Sequence, residues 1–200
     1  GTLNHIKNLH IKAQSISEIT KFDEILDGRV KTLHPKIHAG ILANISNPKH
    51  LEELRKYKIE HFDVIINNLY PFEKVINNPN SSEDEIIENI DIGGPSMLRA
   101  AAKNFHRVSV LIDPNDYIWF AEKLISKTLS LQDRKKLAFK VFDRTSKYDV
   151  NISRYLNSNF DEKDIPETLK ISQNKKPLSL LLTKRLVSLN YRHVNIASLF

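Results

Sequence analysis

Two short apolar runs constrain this chain most. Phe62-Asp-Val-Ile-Ile-Asn67 and Val108-Ser-Val-Leu-Ile112 are bounded by polar or turn-forming residues. Runs of this length and character suit buried strands in the middle of a parallel sheet. The sequence between them reads as helical. Glu83–Ile90 would turn Ile86, Ile87 and Ile90 inward, and a helix entered at Pro95 carries a buried stripe of Leu98, Ala101, Ala102 and Phe105. Pro35 and Pro48 open two earlier helices, the second running through His50–Tyr57. Asp116–Lys127 forms another, with Trp119, Phe120 and Leu124 near one face. Ile11–Ile19 reads as a further strand leading into a loop. Alternation of this kind predicts a layered α/β fold. From Leu131 the pattern turns helical alone, with helices over Leu131–Tyr148 and Ile152–Leu156. These changes of character divide the chain into segments 1–130, 131–160 and 161–200.

Composition narrows the partners. The formal charge is +6 over 200 residues, but Lys and Arg are spread out, without a basic run or an interleaved aromatic track. Small anionic metabolites suit that pattern better than nucleic acid does. No apolar run approaches the length that crosses a bilayer, and no secretory signal is present, so a cytoplasmic protein with no membrane partner is expected. The chain has no cysteine, which removes disulfides, thiol nucleophiles and cysteine zinc sites. His34 and His38 stand four apart, but there is no H-E-x-x-H signature and no third ligand, so no metal is expected.

Four pieces could carry chemistry. In D-G-R-V-K-T, Arg29 and Lys31 would point to one side of an extended stretch and Thr32 adds a hydroxyl, a set that suits an anion. N-N-L-Y-P-F closes the first strand, where open α/β sheets bind ligands, and Tyr70 precedes a proline. In D-I-G-G-P-S the glycines before a helix leave N–H groups free, with Asp91 as a candidate base. Lys103 shares a helical face with Arg99. Each piece alone fits a plainer role as well: a solvated basic turn, a packing tyrosine, a capped helix entry, a surface lysine.

The pieces occur in order as G-R-V-K-T-L-H-P-K-I-H-A-G-I-L, N-L-Y-P-F-E and E-N-I-D-I-G-G-P-S-M-L-R-A-A-A-K-N. That combination resembles the inosine-monophosphate cyclohydrolase domain of the bifunctional purine biosynthesis proteins. R-K-K-L-A-F-K-V-F-D-R-T-S-K-Y-D is similar to the helical segment joining that family's two domains. The resemblance implies a methylglyoxal-synthase-like parallel-sheet α/β domain followed by a helical linker. It implies closure of the pyrimidine ring of 5-formamido-imidazole-4-carboxamide ribonucleotide, giving inosine monophosphate and water. Carried over residue by residue, Lys31, Tyr70, Asp91 and Lys103 are the catalytic set. Arg29, Thr32, Asn68, Gly94 and Ser96 are the substrate-binding set. Asp91 would orient the substrate and act as base, Lys31 and Lys103 would hold the oxyanion or shuttle protons, and the Gly94 N–H would polarise an oxygen.

The same resemblance implies no metal or organic cofactor, a purine nucleotide precursor as ligand, and a homodimer for the full-length family. Gly1-Thr2 looks like the tail of the family's S-T-G-G-T phosphate loop, and 161–200 like a degenerate start of its formyltransferase domain. On that basis most phosphate contacts, the 10-formyl-tetrahydrofolate site and transformylase activity are expected to be missing, and ring closure to be impaired. The main alternative is a nucleotide-sensing regulatory module without catalysis, of the kind found in carbamoyl-phosphate synthetase. Methylglyoxal synthase is a weaker enzyme alternative.

Overall fold

The computed structural model describes residues 2–157, and segment 161–200 lies outside the described residues. In chain order the elements are α1 (Thr2–Asn8), α2 (Ile16–Thr20), a 3-10 turn at Leu26–Gly28, α3 (Pro35–Leu42), α4 (Pro48–Lys56) and β1 (Val64–Ile66). Then come α5 (Phe72–Ile76), α6 (Glu83–Glu88), α7 (Gly93–Lys103), β2 (Ser109–Leu111), a 3-10 turn at Pro114–Asp116, α8 (Tyr117–Ile125) and α9 (Leu131–Leu156). The two strands pair in parallel, Val64 opposite Ser109 and Ile66 opposite Leu111. Contacts divide the chain into two units, Gly1–Asp149 and Val150–Phe200, and the first holds both strands and helices α1 to α8.

Local chemistry explains most of these boundaries. Pro35 and Pro48 each sit in a first helical turn, where the missing N–H costs nothing. The residue before each is the cap: His34 Nδ1 accepts the Lys36 N–H at 3.1 Å, and Asn47 Oδ1 accepts the Lys49 N–H at 3.0 Å. The core gathers Ile37 and Ile41 of α3, Leu98, Ala101 and Ala102 of α7, Val108 to Ile112 around β2, and Phe120 of α8. Leu137, Ala138 and Val141 of α9 belong to the same cluster, so packing continues across Ser130. Arg134 Nε also donates to the Phe105 carbonyl at 3.1 Å.

The C-terminal end of α3 is stapled to the sheet. Gly40 lies so close to the segment leading into β1 that a Cβ there would come 2.5 Å from the Glu60 carbonyl oxygen. Asn104 Nδ2 donates to the carbonyls of Ile41 at 2.7 Å and Ala43 at 3.2 Å. The Arg107 guanidinium donates to the carbonyls of Gly40 (2.9 Å), Ile41 (3.1 Å) and Phe62 (2.8 Å). Together they satisfy carbonyls that a helix end leaves open. They also fix α3, and the basic turn ahead of it, against β1.

Several expectations need correction. Ile11–Ile19 holds no strand. Ser15 Oγ accepts the Glu18 N–H at 3.1 Å, and this Ser-x-x-Glu start makes the segment enter α2 instead. β1 is not a fully buried strand: Ile66 is 56% exposed, because among the described residues β1 has β2 as its single neighbour. On α6, Ile86 is buried but Ile87 is 41% exposed, since one and a half turns cannot bring adjacent residues to one side. Leu124 of α8 likewise faces out. The two helices read after Leu131 are one, α9, and α5 begins directly after Pro71, a helix not assigned from the sequence. No helix among the described residues is long and apolar enough to cross a membrane.

Candidate active site

A cavity of about 280 Å³ opens where β1 ends and α7 begins. Asn67 and Tyr70 come from the carboxyl end of β1, Asp91 to Gly94 and Met97 from the entry of α7, and Glu24 to Thr32 from the turn before α3. This is the edge at which parallel α/β sheets place ligands. A larger groove of about 470 Å³ lies between α3 and α4, but its lining is mostly apolar, with no convergent polar set.

The basic turn is tighter than an extended stretch. Leu26 and Asp27 both take φ of 52°, and Gly28 takes 87°. A left-handed leucine is costly, by about 1–2 kcal/mol, and such strain gathers at functional turns. The turn still delivers both cations to the cavity rim. Each is already paired: Lys31 Nζ lies 2.6 Å from Glu24 Oε2, and Arg29 bonds Glu88. The Glu88 carboxylate, by hydrogen bond and then by charge, raises the Arg29 guanidinium further above its usual value.

Asp91 is the best-held group. Its Oδ1 accepts the Gly94 N–H at 2.8 Å, and the Tyr70 backbone N–H also donates to the carboxylate. Burial pushes the Asp91 carboxyl above the usual carboxylate range, and these two donors oppose the rise without cancelling it. A more basic carboxylate is a better proton acceptor near neutral pH. The glycines of the turn allow the crowding. A Cβ on Gly94 would collide with the Asp91 carboxylate and stand 2.6 Å from Asn67 Nδ2, and one on Gly93 would stand 2.6 Å from Thr32 Oγ1. Gly94 therefore acts through its missing side chain. Its N–H, expected to polarise a substrate oxygen, is taken by Asp91.

Six of the residues singled out in the sequence line this one cavity: Arg29, Lys31, Thr32, Tyr70, Asp91 and Gly94. Three do not. Asn68 Oδ1 accepts the Tyr117 hydroxyl at 2.8 Å, away from the lining. Ser96 is half-buried within α7, its N–H donating to the Ile92 carbonyl at 3.3 Å. Lys103 ends α7, ten residues past Gly93 and thus roughly 15 Å along the axis. Conversely, the lining includes residues not anticipated from sequence. Asn67 Nδ2 is buried there with no hydrogen-bond partner, a donor left over for a ligand. Glu24 and Glu88 neutralise the cations, and for Glu88 the pairing spans 59 residues, which a sequence does not announce. His34 is used as a cap, and no group of three or more metal-type ligands occurs among the described residues.

The parallel α/β layer, with a glycine-opened helix and a partly buried carboxylate at its ligand edge, lies in a chain whose residues 1–96 match the pattern of the MGS-like domain. The pattern described as AICARFT/IMPCHase bienzyme matches residues 101–180. The chain is similar to proteins of this bienzyme family, the bifunctional purine biosynthesis proteins PurH. It is 49% identical over 176 residues to the PurH protein of Acetivibrio thermocellus, covering 88% of this chain and 34% of the relative. It is 48% identical over 174 residues to that of Staphylococcus saprophyticus, covering 87% and 34%. The crystal structure of ForH superposes with a TM-score of 0.72 at 30% identity, covering 80% of this chain and 83% of ForH. The chain thus spans about a third of the length of the PurH relatives it matches.

Proposed function

We propose that this cavity is an inosine-monophosphate cyclohydrolase site in purine biosynthesis. There 5-formamido-imidazole-4-carboxamide ribonucleotide would close to inosine monophosphate with loss of water. The observation that carries the reading is the meeting of Asp91, held by two N–H donors with its carboxyl raised, with Lys31 and Arg29 in one cavity. Similarity to the bienzyme family supports it.

In the proposed step the carboxamide nitrogen attacks the formyl carbon. Asp91 takes a proton from that nitrogen as the carbon–nitrogen bond forms. Lys31 leaves Glu24, meets the developing oxyanion and protonates it to a hydroxyl. Asp91 then returns its proton to that hydroxyl, which departs as water while the formamido nitrogen gives its own proton back to Lys31 and forms the ring carbon–nitrogen double bond. Thr32 and the orphaned Asn67 amide offer hydrogen bonds to the carboxamide, and Tyr70 closes the cavity mouth. Both reacting groups belong to one molecule, so orientation supplies much of the acceleration and no metal or organic cofactor enters. The reading carries with it a cytoplasmic location and a homodimer.

The test is formation of inosine monophosphate by the purified 200-residue chain, followed in the ultraviolet, with calorimetric binding of the same nucleotide alongside. Turnover that falls about 100-fold in Lys31→Ala is the expected result. Tight binding with no turnover at any concentration would return the site to a regulatory sensor and end the catalytic reading.

A further inference from the structure

The sequence around Tyr148 resembles a mere connector, yet its side chain reaches the site. Tyr148 is 2% exposed on α9. Its hydroxyl accepts the Asp91 N–H at 2.9 Å and donates to the Asn89 carbonyl at 3.1 Å. One phenol therefore closes the backbone on both sides of Ile90, immediately before the α7 entry. The ring edge meets Phe72 at 5.9 Å between centroids and 64° between planes. Phe72 is fully buried and opens α5 two residues after Tyr70, whose N–H donates to the Asp91 carboxylate. The Tyr70–Phe72 turn and the Asn89–Asp91 backbone thus rest on the same side chain.

We propose that Tyr148 is a positioning residue for the ring-closing site, using its hydroxyl to lock the Asn89–Asp91 backbone and its ring to seat the Tyr70–Phe72 turn. This rests on the function proposed above. A phenol is suited to the task because a single oxygen both accepts and donates. Burial pushes the Tyr148 phenol up from its usual value, so it stays protonated and keeps its donor across the neutral range. Phenylalanine would preserve the ring contact but leave a part-buried N–H and a part-buried carbonyl unpartnered together. The Asp91 carboxylate would then lose its fixed aim while the cations at the rim stayed in place. A loss of aim lowers the rate of the chemical step more than it lowers binding.

The experiment compares Tyr148→Phe with the parent chain in the ring-closure assay and by amide hydrogen exchange. The expected result is a kcat lowered about tenfold with KM changed less than about twofold. With it, exchange at the Asp91 amide should quicken about tenfold while the β2 amides of Val110 and Leu111 keep the parent rate. Unchanged kcat with unchanged Asp91 exchange overturns the proposal. So does a variant that fails to fold, or one whose loss accompanies general loosening of β2, since either makes Tyr148 part of the general fabric. If the parent itself shows no ring closure, the functional reading fails instead, and exchange at Asp91 decides the role of Tyr148 by itself.

Discussion

Asp91 shows how a single residue can be placed against the interest of the fold. Its carboxyl is raised in the folded chain, so the folded state holds that proton more tightly than the unfolded state does. The stability it contributes is present below its unfolded pKa and is lost as pH rises through the folded value. At neutral pH the ionised form is therefore a burden on the fold, and it is the form the proposed step requires. Asp91→Asn keeps an oxygen for the Gly94 N–H and removes the charge. The expected outcome is a ring-closure rate lowered roughly 10²–10⁴-fold, the scale of a lost general base, with a melting temperature no lower than the parent's at pH 7. A clear drop in melting temperature would count against the desolvated carboxylate. This part of the site was legible in the sequence because its parts are local: Asp91 and Gly94 share a turn, and Arg29, Lys31 and Thr32 share another. Asn67, Glu24, Glu88 and Tyr148 were not legible. The Tyr148 hydroxyl meets Asp91 across 57 residues, and only folding brings such partners together.

At the scale of elements, the C-terminal end of α3 and the start of α9 make separable predictions. Arg107 donates to carbonyls of α3 and of the lead into β1, and burial lowers its guanidinium from the usual value. Arg107→Met keeps the stem but strands those carbonyls, and urea denaturation should show a loss of about 3 kcal/mol. At the start of α9, the Asp133 carboxylate accepts from the Ser130 N–H at 2.9 Å, the Ser130 hydroxyl at 2.8 Å and Lys123 Nζ at 3.1 Å. Those bonds, the Ser130 donors first, lower the Asp133 carboxyl from 3.8 to about 2. A lowered carboxylate contributes stability that is present above its unfolded value and fades as pH falls through the folded one. Acid titration should therefore weaken the parent between about pH 4 and pH 2, and Asp133→Asn should flatten that part of the curve. Helices announced by proline and strands announced by β-branched runs were readable in advance. α2 was misread because its apolar residues are few and its cap is what decides. α9 was split because Asp149 to Asn151 look like an interruption, though a helix tolerates polar residues on its outer side.

For the molecule as a whole, α9 is the structural question. Leu137 and Val141 are almost fully buried, each worth roughly 1.5–3 kcal/mol on leaving water. Against a typical net stability of about 5–15 kcal/mol, a chain ended at residue 130 should lose its cooperative urea transition, while one ended at residue 157 should keep it. A sharp transition in the shorter chain would restore a domain boundary at Ser130. The paired cations of the cavity have a further consequence at this scale. Lys31 and Arg29 carry their own carboxylates, so near the cavity little free charge is on offer, while the chain as a whole carries +6. Attraction at a distance then belongs to the general surface, and grip at the mouth belongs to an exchange of one anion for another. Added salt should slow the arrival of a nucleotide markedly and leave its departure almost untouched. The cavity behaves as an ion exchanger that arrives already loaded.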